Sequence, residues 1–232
     1  MFFITSFNKK LYDEYAHQFI DTYIKTKQTI KVICYVEEDI KFTDHPNFEF
    51  INLFKVMPEL KEFLDRSKDR PKPNSFMDDA RRFCYKVFAQ YHASKQKEKF
   101  LWLDADNVFL KPITEKWVND FTPDNIFVTY YGRKRYTECG VIGFNCKDKD
   151  SDSFFDLYLK HYTEDRIWNM IHKTDCHAFD NTRNMINPKS RLKGNGEQSH
   201  VIAMDKDINP YLDHKKGKRK QMAFSPEWKV HR

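Results

Sequence analysis

At 232 residues, 40% hydrophobic and 16% aromatic, the chain carries core material for one α/β domain spanning residues 1–232. Six glycines and nine prolines exclude collagen-like and low-complexity classes, and no apolar run approaches the ~18 residues of a membrane-crossing helix. The net charge of +6, from 40 Lys and Arg against 34 Asp and Glu, is modest; it gathers near the C-terminus in Lys215, Lys216, Lys218, Arg219 and Lys220.

The opening residues lack the basic-then-apolar order of a signal peptide, so the protein is expected to be cytosolic and Phe2 to Phe7 to form a first strand. Tyr12 to Ile24 follows, with Ala16, Phe19, Ile20 and Tyr23 at helical spacing. Ile30 to Val36 reads as a second, buried strand and Phe48 to Phe54 as a third. Strand, helix, strand at these spacings predict a βαβ unit and a mainly parallel sheet flanked by helices. Ligands collect at the carboxyl ends of such strands, which places Ser6, Phe7 and Asn8 where a nucleotide base could sit. The five cysteines are odd in number and form no Cys-x-x-Cys pair, so buried free thiols are expected instead of disulfides or structural zinc.

Residues 67–75, charged and carrying Pro71 and Pro73, read as a loop leading into a helix from Asp78 to Tyr91. Its apolar stripe is Ala80, Phe83, Cys84, Val87, Phe88 and Tyr91; Arg81 and Lys86 lie off the stripe, where plain solvent exposure is the default. Next comes the run Phe100-Leu101-Trp102-Leu103-Asp104-Ala105-Asp106-Asn107-Val108-Phe109-Leu110, with the character of a strand buried on both faces. On an extended segment Asp104 and Asp106 would point the same way. Two carboxylates held together resist ionisation unless a cation lies between them, and hard oxygen donors suit Mg²⁺ or Mn²⁺ carrying substrate phosphates. A short Asp-x-Asp also occurs as a solvated turn after a strand, so the motif needs a second half.

Asn125 to Tyr131 reads as a further strand. Thr137 to Asn145 reads as another, and its glycines imply close backbone approach by a ligand or a bulge. Ser151 to Tyr162 is expected to be a helix capped by Ser151, with Phe154, Leu157, Tyr158 and Tyr162 inward. From Arg166 to Gln198 periodicity fades, which predicts irregular, functional loops around the polar cluster at residues 174–180.

The second half of the site is His214-x-x-Gly217-x-x-Lys220. An imidazole can complete a metal shell begun by two carboxylates, a glycine lets backbone approach a phosphate, and a lysine neutralises it. A basic surface loop containing one histidine would match the same spacing.

Together the two motifs resemble metal-dependent glycosyltransferases of the GT-A fold, and retaining family 8, which includes glycogenin, has the most similar pattern. The resemblance covers roughly residues 2–220 and implies that Asp104, Asp106 and His214 ligate Mn²⁺ or Mg²⁺, with Gly217 and Lys220 facing the donor diphosphate. It implies a basic residue on the preceding helix reaching the donor, Lys86 first and Arg81 in reserve. It also implies a nucleotide-sugar donor, a UDP-sugar by family habit, with retention of anomeric configuration. The strand Cys139-Gly140-Val141-Ile142-Gly143-Phe144-Asn145 resembles the family's strand on the acceptor side. Two departures stand out: the family's aromatic after the last lysine is replaced by Gln221, and no clear Asp-Gln pair precedes a helix. Glu197-Gln198 is the nearest such pair, and Asp175 is the alternative, taken here as the catalytic candidate. The acceptor is open; the surplus basic residues, Arg133, Lys134 and Arg135 among them, fit either a polyanion such as hydroxymethylated DNA or a soluble surface. Rival readings are a nucleotidyltransferase, although no early phosphate loop is present, and a non-catalytic binder of sugar nucleotides or nucleic acid.

Overall fold

The computed structural model describes residues 1–71, 75–194 and 200–226. The chain opens with β1 (Phe2–Phe7), then a continuous helical segment made of α1 (Lys9–Leu11), a π-helical turn (Tyr12–Ala16) and α2 (His17–Lys25). Next come β2 (Val32–Val36), β3 (Phe48–Asn52), α3 (Leu53–Val56), α4 (Pro58–Ser67) and α5 (Ala80–Ser94). β4 (Lys99–Leu103), β5 (Asn107–Phe109), α6 (Glu115–Phe121), β6 (Val128–Gly132) and β7 (Thr137–Asn145) follow. The described chain closes with α7 (Ser151–Thr163), α8 (Asp175–Ile186), β8 (Ser190–Lys193), α9 (Val201–Met204) and β9 (Leu212–His214).

The main sheet has the order β3-β2-β1-β4-β7-β6-β8. β3, β2, β1 and β4 run parallel, as do β6 and β8, while β7 is antiparallel to both of its neighbours. The expected mainly parallel α/β sheet is therefore present, with helices packed on both faces. Alternation along each strand feeds two cores. Phe2, Ile4, Phe100 and Trp102 pack with α5, α7 and α8, whereas Phe3, Phe7, Leu101 and Leu103 pack with α2 and with Phe109 and Leu212. Each such buried side chain contributes about 1.5–3 kcal/mol.

Several sequence expectations shift. The third strand stops at Asn52, whose carboxamide oxygen accepts from Phe54 N and Lys55 N and so starts α3. The residue before α7 is Asp150, and Ser151 lies buried inside the helix instead of capping it. The apolar run from Phe100 to Leu110 is not one strand. It breaks at a turn closed by Asn107 N donating to Asp104 O at 2.9 Å, and β5 leaves the main sheet to pair antiparallel with β9. The stretch after Arg166 is not a long loop either. Thr174 caps α8 by accepting from His177 N, and Ala178, Phe179 and Thr182 turn inward. Its many polar residues conceal that inward face. The Glu197-Gln198 pair lies outside the described residues. Among the described residues all five cysteines are buried and free, and no helix is long and apolar enough to cross a membrane.

Candidate active site

A cleft of about 1590 Å³ opens at the carboxyl ends of β1, β2 and β4. That exceeds the ~300–1,000 Å³ of a typical single-ligand pocket and leaves room for two ligands side by side. Ser6, Phe7 and Asn8 line one end, as expected from their place at the end of β1.

Asp104 and Asp106 sit on the turn between β4 and β5, so strand alternation is not what brings them together. The turn is pinned from three sides. Asp104 N donates to Gly140 O at 2.9 Å, Asn107 Nδ2 donates to Asp104 O at 2.8 Å and to Gly140 O at 3.1 Å, and Lys215 N donates to Asp106 O at 2.9 Å. Because Asn107 pairs with His214 across β5 and β9, the last strand delivers the imidazole straight to the turn. His214 Nε2 lies 3.1 Å from Asp106 Oδ1 and 3.8 Å from Asp104 Oδ2, and ligand atoms of all three residues lie within 4.8 Å of one another. Asp106 Oδ1 is buried and faces His214 Nε2, the two atoms that an ion between these residues would use. Two carboxylates and an imidazole at this spacing fit a divalent ion of the Mg²⁺ or Mn²⁺ class.

Opposite charges dominate the local electrostatics. Burial alone would raise Asp106, yet His214 and Lys220 hold it well below the usual carboxylate range. Burial opposes charge on His214, but Asp106, Glu138 and Asp104 raise it above its ordinary value. Lys220 Nζ lies 3.2 Å from Asp106 Oδ2 and 3.6 Å from the centre of the Tyr15 ring. Gly217, at φ +62°, lets the chain turn between His214 and Lys220 in a left-handed conformation that glycine adopts without strain.

Lys86 is not an exposed helix residue. Its Nζ lies 2.7 Å from Asp104 Oδ1 and 2.8 Å from Asp175 Oδ2, and it donates to Cys139 O at 3.0 Å. Burial disfavours its charge, but the two carboxylates raise its pKa well above the normal lysine value. The lysine therefore joins Asp104 to Asp175, the first residue of α8. Trp102 Nε1 adds a 2.7 Å hydrogen bond to Asp104 Oδ1. Arg81 lines the cleft but is held by Asp79 at 2.7 Å and by Ser67 O. The structure thus favours Lys86 over Arg81 as the helix residue next to the carboxylates.

The sequence reading missed Glu138 and Tyr15. Glu138 is buried on β7, accepts from Gly140 N at 3.2 Å, and pairs with Arg133 and Lys216, each at 3.0 Å. A charged residue within an otherwise apolar strand was the available signal. Tyr15 comes from the π-helical turn, a geometry frequent at functional sites and invisible to a 3.6-residue pattern. The basic cluster also changes character. Lys215 is buried with its ammonium 2.6 Å from Gln18 Oε1, while Lys216 and Arg133 are tied to Glu138. These three are parts of the scaffold, not spare positive surface; Lys134 and Arg135 are exposed.

No protein-family model and no curated protein sequence matches the chain. Solved structures do. The apo bifunctional glycosyltransferase WbbM aligns over 94% of this chain and 46% of its own, at TM-score 0.53 and 11% identity. Mouse xyloside xylosyltransferase 1 aligns over 83% of this chain and 84% of its own, at TM-score 0.55 and 10% identity. The galactosyltransferase LgtC, in complex with donor and acceptor sugar analogues, aligns over 84% of this chain and 73% of its own, at TM-score 0.50 and 14% identity. The chain thus spans less than half of WbbM's length. At these identities the likeness establishes the fold, which is GT-A.

Proposed function

We propose that this GT-A protein is a divalent-metal-dependent glycosyltransferase that moves a sugar from a nucleotide-sugar donor to an acceptor hydroxyl. The observation that carries this reading is the meeting of Asp104, Asp106 and His214, with Lys220 beside them, in a two-ligand cleft at the strand ends. The three solved relatives named above are glycosyltransferases, which supports sugar transfer as the chemistry. A UDP-sugar donor and retention of configuration follow from the resemblance to family 8.

Each residue has a distinct task. Ser6, Phe7 and Asn8 would hold the nucleoside end of the donor. Asp104, Asp106 and His214 would hold Mn²⁺ or Mg²⁺, which when bound neutralises the diphosphate as it leaves. Gly217 allows backbone to approach that diphosphate, and Lys220 meets its growing negative charge. Lys86 keeps Asp104 and Asp175 at fixed positions. Asp175 would orient the acceptor hydroxyl or steady positive charge at the anomeric carbon.

Incubation with a set of nucleotide sugars in water, with Mn²⁺ or Mg²⁺ and without acceptor, tests the reading. Slow release of free sugar and nucleoside diphosphate is expected, abolished by chelator and by Asp106→Asn. A bare sugar-nucleotide binder would be stabilised thermally by the donor but release no sugar. Full release in chelator, or neither stabilisation nor release with any donor, overturns the proposal.

A further inference from the structure

Two thiols lie on the floor of this cleft. Cys139 is on β7 and Cys176 is in the first turn of α8, next to Asp175. Their sulfur atoms and an Asp175 oxygen lie within 4.8 Å of one another. Cys34, Cys84 and Cys146 are buried but do not line the cleft. The two cleft thiols also differ in setting. Cys176 is 9% exposed and Cys139 is 1% exposed. The Arg133 guanidinium reaches Cys176 Sγ at 3.8 Å, and the positive end of the α8 dipole adds to it. Cys176 Sγ in turn donates to Asp175 Oδ1 at 3.8 Å, so its greater exposure, with the guanidinium beside it, is what singles it out as the sulfur an oxidant meets first.

We infer that Cys139 and Cys176 form a redox-active dithiol, a modification site for peroxide-class oxidants, with Cys176 the attacking sulfur and Cys139 the resolving one. Cys176 Sγ gives up its proton as it attacks one peroxide oxygen, the O–O bond breaks, and the leaving hydroxide takes that proton to form water, giving a sulfenic acid. The Cys139 sulfur then attacks that sulfenic sulfur, loses its proton, and displaces hydroxide; the proton and hydroxide combine as water. The net reaction is two thiols plus hydrogen peroxide giving one disulfide and two waters. Closure needs the sulfurs to approach to about 2.04 Å. Lys86 holds Cys139 O, and Asp175 precedes Cys176, so closure draws the start of α8 against β7 beside the candidate donor site. The dithiol itself does not depend on the glycosyl-transfer reading.

Treatment of the folded chain with dilute hydrogen peroxide, alkylation of remaining thiols and tryptic mapping test this directly. Peptide 136–147, which carries both Cys139 and Cys146, should be linked to peptide 174–183, with the loss of two hydrogens. Fragmentation should place the link on Cys139, and dithiothreitol should reverse it. Cys139→Ser should leave Cys176 as a sulfenic acid that dimedone traps, whereas Cys176→Ser should leave Cys139 untrapped. A native map in which these peptides stay unlinked, or a link through Cys146, overturns the inference. So does equal dimedone trapping in both variants. The unsubstituted protein's map decides the linkage even if a variant does not fold.

Discussion

Gly140 on β7 lies against the imidazole of His214, so closely that a β-carbon on Gly140 would stand 2.3 Å from His214 Cε1. The ring is buried and held by Asp106 at 3.1 Å, so it has little room to withdraw. The missing side chain of one strand thus makes space for the imidazole of another.

Gly140→Ala should therefore push His214 off the carboxylates without dismantling the sheet. Overpacking of this kind costs about 1–3 kcal/mol. The expected outcome is a folded protein whose melting temperature no longer rises with Mn²⁺. A metal-induced shift equal to that of the parent would place the imidazole outside the metal shell.

Lys86→Met leaves Asp104 and Asp175 facing each other across the cleft without the cation that joins them. Removing one member of a buried charged network destabilises by about 3–5 kcal/mol. Urea denaturation should show that loss, and donor hydrolysis should fall together with it. A change within 0.5 kcal/mol would mean the lysine is solvated after all.

The C-terminal basic run should divide by burial. Lys215→Ala removes the buried partner of Gln18 and should cost about 1–2 kcal/mol, whereas exposed Lys218→Ala should stay within about 0.5 kcal/mol. Equal melting temperatures for the two variants would restore the view of the run as a uniform surface patch.

Stability should also fall on mild acidification through His161. Its Nε2 lies 3.0 Å from Thr182 Oγ1, whose own proton goes to Ala178 O, so Nε2 is the donor. Nδ1 is buried and has no hydrogen-bond partner among the described residues. Burial first, then repulsion from Arg166, lowers this histidine to about 4, against an ordinary value of 6.5. Between those values the unfolded chain binds a proton that the folded chain refuses, so stability falls as pH drops from about 6.5 to about 4. With allowance for partial screening the loss is about 2 kcal/mol. His161→Gln should flatten that part of the pH–stability curve; a slope unchanged by the substitution would assign the loss to other groups.

How much of this was readable in advance depends on the range of the interaction. Buried strands, the parallel opening of the sheet and the α5 stripe came from apolar periodicity, because a strand or helix records its buried face in its own sequence. The residues of the metal candidate were legible too, since carboxylates after an apolar strand and a histidine-glycine-lysine spacing are both local patterns. Their geometry was not. Asp104 and Asp106 converge through a turn pinned by Gly140 O and Asn107, and β9 carries His214 to them from more than a hundred residues away. Periodicity alone left Lys86 on the solvent side of its helix and only the family resemblance pointed it at the site, because it takes the packing of α5 against β7 and α8 to put two carboxylates at its ammonium. Glu138, Tyr15 and the Cys139–Cys176 pair emerge at the same level. Each depends on segments distant in sequence, whose approach is set by the tertiary packing and not by any local pattern.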